Sequence, residues 1–499
     1  MQKNTNSSSR YHTDWLNMMY PRLKISKELL KEDGVLFISI DDNEINNLRK
    51  LCDTIFGNTN FIAQFTRKGS GGRQDSKYYA IVHEYILCYA KNANSFVSGK
   101  QIKNDDVYPF YDEDKGKHYK TQLLRKWGEN SRRVDRPNLY YPITDPDGNP
   151  FYPMLSKEEE GCWRWGKETM FANIEKGMVE FKKRNGEWVA YEKMFEPEEG
   201  EYKTKLYTTI IDDISNNTGA ALIKEMFGGK YFDYPKPVDL ISRLIVLGNV
   251  QSGDVVLDYF SGSATTAHSV LEVNAKETKG IKFILVQLPE STYTIDKNGE
   301  EVAKKENIDA YNAGYRTLCE IGEERIRRAI QRVSDTYPNA AFDSGFKVFE
   351  VADSNIKWNT SLDDELLDLT DIDYSINEKD RIDFNKGYTD IDVVYEVMLR
   401  QFDIPLSTPI EKLSSVSDRT YIFADAVVVC LEPDIDEQLI ERLAAIEPTP
   451  AKFVLRDSAF NDDIELKDVS FRRLSALIAN HQTEEERKSK YNNYTVEFI

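Results

Sequence analysis

Apolar residues recur at helical spacing over the first thirty positions: Trp15, Met18, Met19, Leu23, Ile25, Leu29 and Leu30, with Asp33-Gly34 closing the segment. The run Val35-Leu36-Phe37-Ile38-Ser39-Ile40 follows and is almost continuously apolar, as in a strand buried on both faces. Asp41-Asp42-Asn43-Glu44 predicts the cap of a second helix with Ile45, Leu48, Leu51 and Ile55 on its inner face. Two more strand-like runs, residues 61–67 and 84–90, flank the loop Gly69-Ser70-Gly71-Gly72. Strands alternating with helices predict an α/β domain with a mostly parallel sheet.

The pattern changes over residues 92–229. Tyr, Trp, Pro, Gly and charged residues dominate, as in Arg136-Pro137-Asn138-Leu139-Tyr140-Tyr141-Pro142. Residues 177–188 predict a hairpin turning at Asn185-Gly186. This stretch reads as an irregular, β-containing insert in an α/β core that resumes near Tyr231. There, Val255-Val256-Leu257-Asp258 predicts a strand, Tyr259-Phe260-Ser261-Gly262-Ser263-Ala264 a tight loop, and Thr265-Thr266-Ala267-His268 a helix start. A further strand is predicted over residues 281–288. In such a β-α-β unit, backbone N–H groups at the helix start hold an anion, and small residues admit a ligand. No Gly-Lys-Ser/Thr follows the loop, so it is not a P-loop, and no GxGxxG is present. A tight packing turn remains the alternative at this stage.

Composition changes the picture in one respect. The 499 residues carry a formal charge of −19, which argues against a nucleic-acid partner. From Phe346 onward, however, 17 basic residues face 33 acidic ones, a net of −16, which leaves −3 for the rest. Within that remainder, residues 115–136 carry eight basic residues against Glu129 and Asp135, interleaved with His118, Tyr119 and Trp127. The stretch suits phosphate contacts or a solvated charged face about equally. The five cysteines are far apart with no CxxC spacing, so neither a disulfide framework nor a zinc site is predicted. With no long apolar run and no signal-like N-terminus, the composition points to a soluble, cytoplasmic protein without a membrane partner.

Read together, the segments resemble a known family. Residues 258–268 resemble the S-adenosyl-L-methionine motif of amino-methylating DNA methyltransferases, and Tyr234-Pro235-Lys236-Pro237-Val238-Asp239-Leu240 the Lys-Pro helix start that precedes it in the permuted class. Residues 9–23, 34–44, 283–290 and Arg456-Asp457-Ser458-Ala459-Phe460 are similar to methyltransferase (Mod) subunits of type III restriction–modification systems. The resemblance implies adenine-N6 methylation of double-stranded DNA, a Mod homodimer and a Res nuclease partner. It implies a Rossmann-like core in residues 1–91 and 230–345, a target-recognition insert in 92–229 and an acidic α/β domain in 346–499. That last domain would serve dimer or Res contacts.

Carried over by residue, Phe260 packs near the cofactor's adenine, and Asp258 with Ser261, Gly262 and Ser263 holds its methionine end. Thr265, Lys236 and Pro237 line the same cavity. Gln287 stands where an acid usually bonds the ribose. Ala264 replaces a common Gly, with nothing lost if it starts its helix with ordinary negative φ. For Thr265, Thr266 and His268, helix capping and packing are as good a reading as cofactor contact. Arg67, Lys68 and Arg73 beside the glycine loop, and Arg125, Lys126, Arg132 and Arg133 in the basic stretch, are the candidate DNA contacts, with a solvent-facing loop as the alternative for the first group. No proline is followed by another, so the Asp-Pro-Pro-Tyr motif that holds the flipped base is absent. The expectation is a chain lacking the N-terminal catalytic part, inactive alone. A non-catalytic DNA- or Res-binding remnant, or half of a split enzyme, is the alternative.

Overall fold

The computed structural model describes residues 11–69, 78–102, 107–156, 158–184, 186–198, 204–358, 377–401, 403–481 and 494–499. They form two compact units, residues 1–344 and 345–499.

In the first unit, α1 (Tyr11–Leu29), β1 (Val35–Ile40), α2 (Ile45–Phe56), β2 (Phe61–Lys68) and β3 (His83–Ala90) follow in order. Side chains alternate across β3, and each set meets a different layer. Leu87 and Tyr89 pack with Met19, Leu23, Leu48 and Phe56 of α1 and α2. Ile86 and Cys88 pack with Leu240, Leu244 and Leu247 of α4 (Val238–Leu247). The sheet is thus covered on both faces, which is why its strands read as apolar runs.

The sheet is not mostly parallel. β3 lies between β1 and β2 and is antiparallel to both; only the short β8 (Ile210–Ile211) joins β2 in parallel. A parallel neighbour needs a crossover, usually a helix, and no described helix lies between β2 and β3. One detail of α1 is new and one expectation is corrected. Ile25 and Leu29 sit on α1 but are 58% and 65% exposed. Asp41 does not cap α2: it accepts from the Asn43 N–H at 3.0 Å, and Glu44 occupies the N-cap position.

The intervening residues hold a separate antiparallel sheet in the order β4 (Phe110–Asp112), β5 (Lys117–Leu123), β7 (Glu187–Phe195), β6 (Val179–Arg184). Arg184 pairs with Glu187 across a turn in which Gly186 has φ +85°. Asn185, the other predicted turn residue, lies outside the described residues. Farther on, α3 (Asn217–Phe227) and α4 lead into β9 (Val255–Asp258), α5 (Thr265–Glu277) and β10 (Lys282–Leu285). β9 and β10 pair in parallel, with α5 as their crossover. Ile245 of α4 packs with Val270 and Val273 of α5, with Val256 and Phe283 alongside, so α4 serves both sheets. α6 (Leu318–Thr336) packs on α5.

The second unit is a five-stranded sheet ordered β11 (Ile410–Lys412), β12 (Thr420–Phe423), β13 (Val427–Cys430), β14 (Lys452–Leu455), β15 (Thr495–Phe498). Part of its acidity is tied down internally. The fully buried Arg456 donates to Asp380 at 2.5 Å and to Asp383 at 2.7 Å. Arg419 donates to Asp380 at 3.0 Å and to Asp390 at 2.6 Å. Burial alone raises the Asp380 carboxyl, but Arg419 and Arg456 overcome it and hold the group below its ordinary 3.8. A carboxyl depressed on folding stabilises above its unfolded value, and that contribution is lost as pH falls through the folded one. Amide exchange in β13 and β14 of the full chain is therefore expected to accelerate beyond its intrinsic acid dependence as pH drops below 3.8. An Asp380→Asn chain already exchanging fast at neutral pH, with that extra acid dependence gone, is the matching outcome; an unchanged profile sinks the assignment.

No described helix is long and apolar enough to cross a membrane. Among the described residues no His, Cys, Asp and Glu cluster could hold a metal ion.

Candidate functional site

The loop between β9 and α5 is organised by Asp258, the last residue of its strand. One carboxylate oxygen accepts from the Phe260 N–H at 3.1 Å and the other from the Thr266 hydroxyl at 2.6 Å. The loop thus closes on the helix it precedes. Gly262 lies at φ +51° and its N–H donates to the Gln287 side-chain oxygen at 2.8 Å. The Gln287 amide nitrogen donates to the adjacent Leu288 carbonyl at 3.1 Å, so the oxygen end of this side chain holds the loop while the nitrogen end is fixed by its own backbone.

Ala264 does not meet the condition of an ordinary negative φ. It sits at φ +59°, ψ +36°, in the left-handed region, immediately before α5. For a residue with a Cβ this conformation costs about 1–2 kcal/mol. It is held by a hydrogen bond from its own N–H to Ser261 O at 2.8 Å and by a guanidinium that bonds the residues on either side. Arg325 of α6, fully buried, donates through Nη1 to Ser263 O at 3.0 Å, Ser263 Oγ at 2.7 Å and Thr265 Oγ1 at 2.7 Å. Nothing in the sequence marked Arg325, which lies 60 residues from Thr265 in an arginine-rich helix. Thr266 serves Asp258, whereas the fully buried His268 makes no hydrogen bond through either ring nitrogen and has Glu272 Oε1 3.3 Å from its Nε2.

The structure brings the Lys-Pro segment to this loop. Pro237 is the N-cap of α4, and the next residue, Val238, accepts from the Ser269 hydroxyl of α5 at 3.1 Å. The ring of Phe232 lies 3.1 Å from where a Cβ on Gly262 would be. Gly219 of α3 passes so close to this segment that a Cβ there would meet Pro235 O at 2.3 Å, so only glycine fits. Lys236 donates to Glu84 at 2.7 Å and shares an open cleft of about 360 Å³ with Trp15, Ser39, Asp41, Glu44 and Glu84. Burial would raise the Glu84 carboxyl, but Lys236 and Arg67 beside it hold it below the usual carboxylate range. Phe260, 53% exposed, lies near α1, with the Arg22 guanidinium 5.9 Å from its ring centre.

The candidate DNA contacts fare unevenly. Arg67 is fully buried and donates to Glu84, to Asn216 and, at 3.2 Å, to Ile214 O. It cannot reach a phosphate; β2 points it inward, where no periodicity argument placed a charge. Lys68, its neighbour on the opposite face, is exposed. Arg73 and residues 70–72 of the glycine loop lie outside the described residues. Arg132 pairs with Glu159 and Arg133 with Glu160, each at 2.8 Å, and Arg133 also lies over Tyr140. Those two charges are therefore compensated by acids from a later loop. Arg125 and Lys126 are half-buried beside residues 162–163, to which their backbones bond.

A strand ending in a carboxylate-pinned, small-residue loop at a helix start is shared by several nucleotide-binding families, so comparison with known proteins decides among them. The model of the N6/N4-type DNA methylase family matches residues 1–331. The chain belongs to that family. It is 35% identical over 373 residues to the type III restriction-modification enzyme EcoPI Mod subunit of Escherichia phage P1, covering 70% of this chain and 55% of that protein. With the StyLTI Mod subunit of Salmonella typhimurium LT2 it shares 32% identity over 347 residues, 68% of this chain and 49% of that protein. With the type II methyltransferase M.KpnI of Klebsiella pneumoniae it shares 32% over 345 residues, 66% of this chain and 76% of that protein. The chain thus spans about half the length of these two type III relatives.

Enzymes of this DNA methylase family take their methyl group from S-adenosyl-L-methionine. The residues present suit it. The loop is built from small residues, Phe260 offers an exposed ring, and the first turn of α5 has no side-chain cap, leaving its N–H groups for an anion.

Proposed function

We propose that this chain is a type III modification subunit that binds donor and DNA and methylates adenine N6 in a specific double-stranded sequence. The observation that carries the reading is the Asp258-organised loop, tied to Pro237-Val238 through Ser269, in a chain of the DNA methylase family. S-adenosyl-L-methionine supplies the methyl group when bound. Phe260 stacks against its adenine. Asp258 and the turn at Ser261, Gly262 and Ser263 shape the seat of its methionine end. Thr265 and Gln287 hold that turn, and Lys236 and Pro237 close the adjoining wall.

The sheet built from residues 110–195 is the target-recognition part, residues 230–345 the donor-binding part, and residues 346–499 the surface for a second Mod copy or a Res nuclease. Lys68, Arg125 and Lys126 face DNA; Arg132 and Arg133 reach phosphates only by exchanging their glutamates. Arg73, beside the same glycine loop, belongs to this set. A DNA-modifying role of this kind places the protein in the cytoplasm.

A second reading is favoured by two observations. No Pro-Pro pair occurs in the sequence. β1 and β9 each form the edge of their sheet, and Val255 and Ile284 are about half exposed. On that reading the chain binds donor and DNA without transferring the methyl group by itself. Incubating purified chain with labelled S-adenosyl-L-methionine and mixed-sequence duplex DNA separates the two. Saturable donor binding is expected under both, and its absence removes both. Incorporation of label into adenine selects the first reading; binding without incorporation selects the second.

A further inference from the structure

Among the described residues three arginines are fully buried: Arg67, Arg325 and Arg456. Arg67 has Glu84 as its partner, and Arg456 has Asp380 and Asp383. Arg325 has no carboxylate within ion-pair distance among the described residues, and its Nε and Nη2 have no hydrogen-bond partner. An unpaired buried charge is among the most destabilising features a fold can carry, so its retention calls for a compensating group. Every bond Arg325 does make is to Ser263 or Thr265, at the start of α5. Helix start and guanidinium therefore add their positive potentials at one point. Burial pulls the guanidinium down to about 10, which leaves it charged at neutral pH; Glu272 is the acid that acts on it from α5.

We propose that Arg325 is a positioning residue for the methyl donor: through Ser263 and Thr265 it holds the left-handed turn, and its buried charge draws the donor's carboxylate to the start of α5. This deepens the donor-site reading above and rests on it. A plain staple and a carboxylate-attracting charge make different demands on the ligand. The full chain is titrated calorimetrically with S-adenosylhomocysteine and with 5′-methylthioadenosine, which keeps the adenosine and sulfur but lacks the amino-acid end. Arg325→Met is expected to weaken S-adenosylhomocysteine about tenfold, the scale of a lost charge at a helix start, and to leave methylthioadenosine unchanged. Arg325→Lys is expected to retain the preference. Equal weakening of both ligands, or no weakening of S-adenosylhomocysteine, overturns the proposal. Glu272→Gln, a change at a partly exposed position, decides the matter if Arg325→Met does not fold. It is expected to tighten S-adenosylhomocysteine selectively, and an unchanged ratio of affinities counts against the proposal. A wild-type chain that binds neither ligand overturns the donor-site reading itself, an outcome distinct from the loss of selectivity alone.

Discussion

An Arg67→Met chain is expected to lose about 3–5 kcal/mol of stability, the scale of breaking a buried ion pair by removing one partner. Arg67 is fully buried, and its guanidinium joins Glu84, Asn216 and the Ile214 carbonyl, tying β2, β3 and the segment before α3 together. Without it, the Asn216 oxygen and the Ile214 carbonyl lose their donor, and Glu84 keeps only Lys236. The acid is then less strongly depressed, so Lys236 is held less firmly at the edge of the cleft. Urea unfolding of wild type and variant measures the loss. The same proteins, titrated with duplex DNA across salt, test the competing role. A phosphate-contacting Arg67 would leave stability near wild type and reduce the salt slope by about one contact. That pair of results would return Arg67 to the DNA surface; a large stability loss with an unchanged slope in the folded fraction places it in the core.

Asp258→Ala is expected to lower donor affinity about a hundredfold while the fold survives. The carboxylate accepts from the Phe260 N–H and the Thr266 hydroxyl, and it is the anchor that closes the loop on α5. Charge-assisted hydrogen bonds contribute about 1.5–3 kcal/mol each, so releasing the loop costs roughly what two decades of affinity represent. The residue is only partly buried, and Val256 remains in its cluster with α4 and α5, so the global unfolding free energy is expected to change far less. Calorimetry with S-adenosylhomocysteine on the folded variant checks both halves. Near-native affinity in that variant would show that the loop keeps its shape without the anchor and that Asp258 is dispensable.

The hydrophobic pattern by itself determined the local elements. β3 and α2 carry runs or spacings that burial satisfies, β1 and β9 carry apolar runs left partly exposed, and the Gly/Ser loop after β9 has few residues that could form anything but a ligand turn or a tight packing turn. It also located the charge asymmetry between the two units. Pattern does not carry pairing, because a strand buried on both faces reads the same whether its neighbour runs parallel or antiparallel. Thus the place of β3 between β1 and β2, antiparallel to both, was decided only by the tertiary pairing. Nor does pattern carry long-range polar satisfaction. Arg67 and Lys68 are adjacent in sequence and alike in charge, yet the two-residue period of a strand sends one into the core and the other into solvent. Asn216, Glu84 and Arg325 meet their partners 149, 17 and 60–62 residues away. Ala264 shows the same division from the backbone side. Its neighbours predicted a turn, but the left-handed conformation is held by the bond to Ser261 and by Arg325's bonds to the flanking Ser263 and Thr265, a constraint that exists only once α6 is packed on α5.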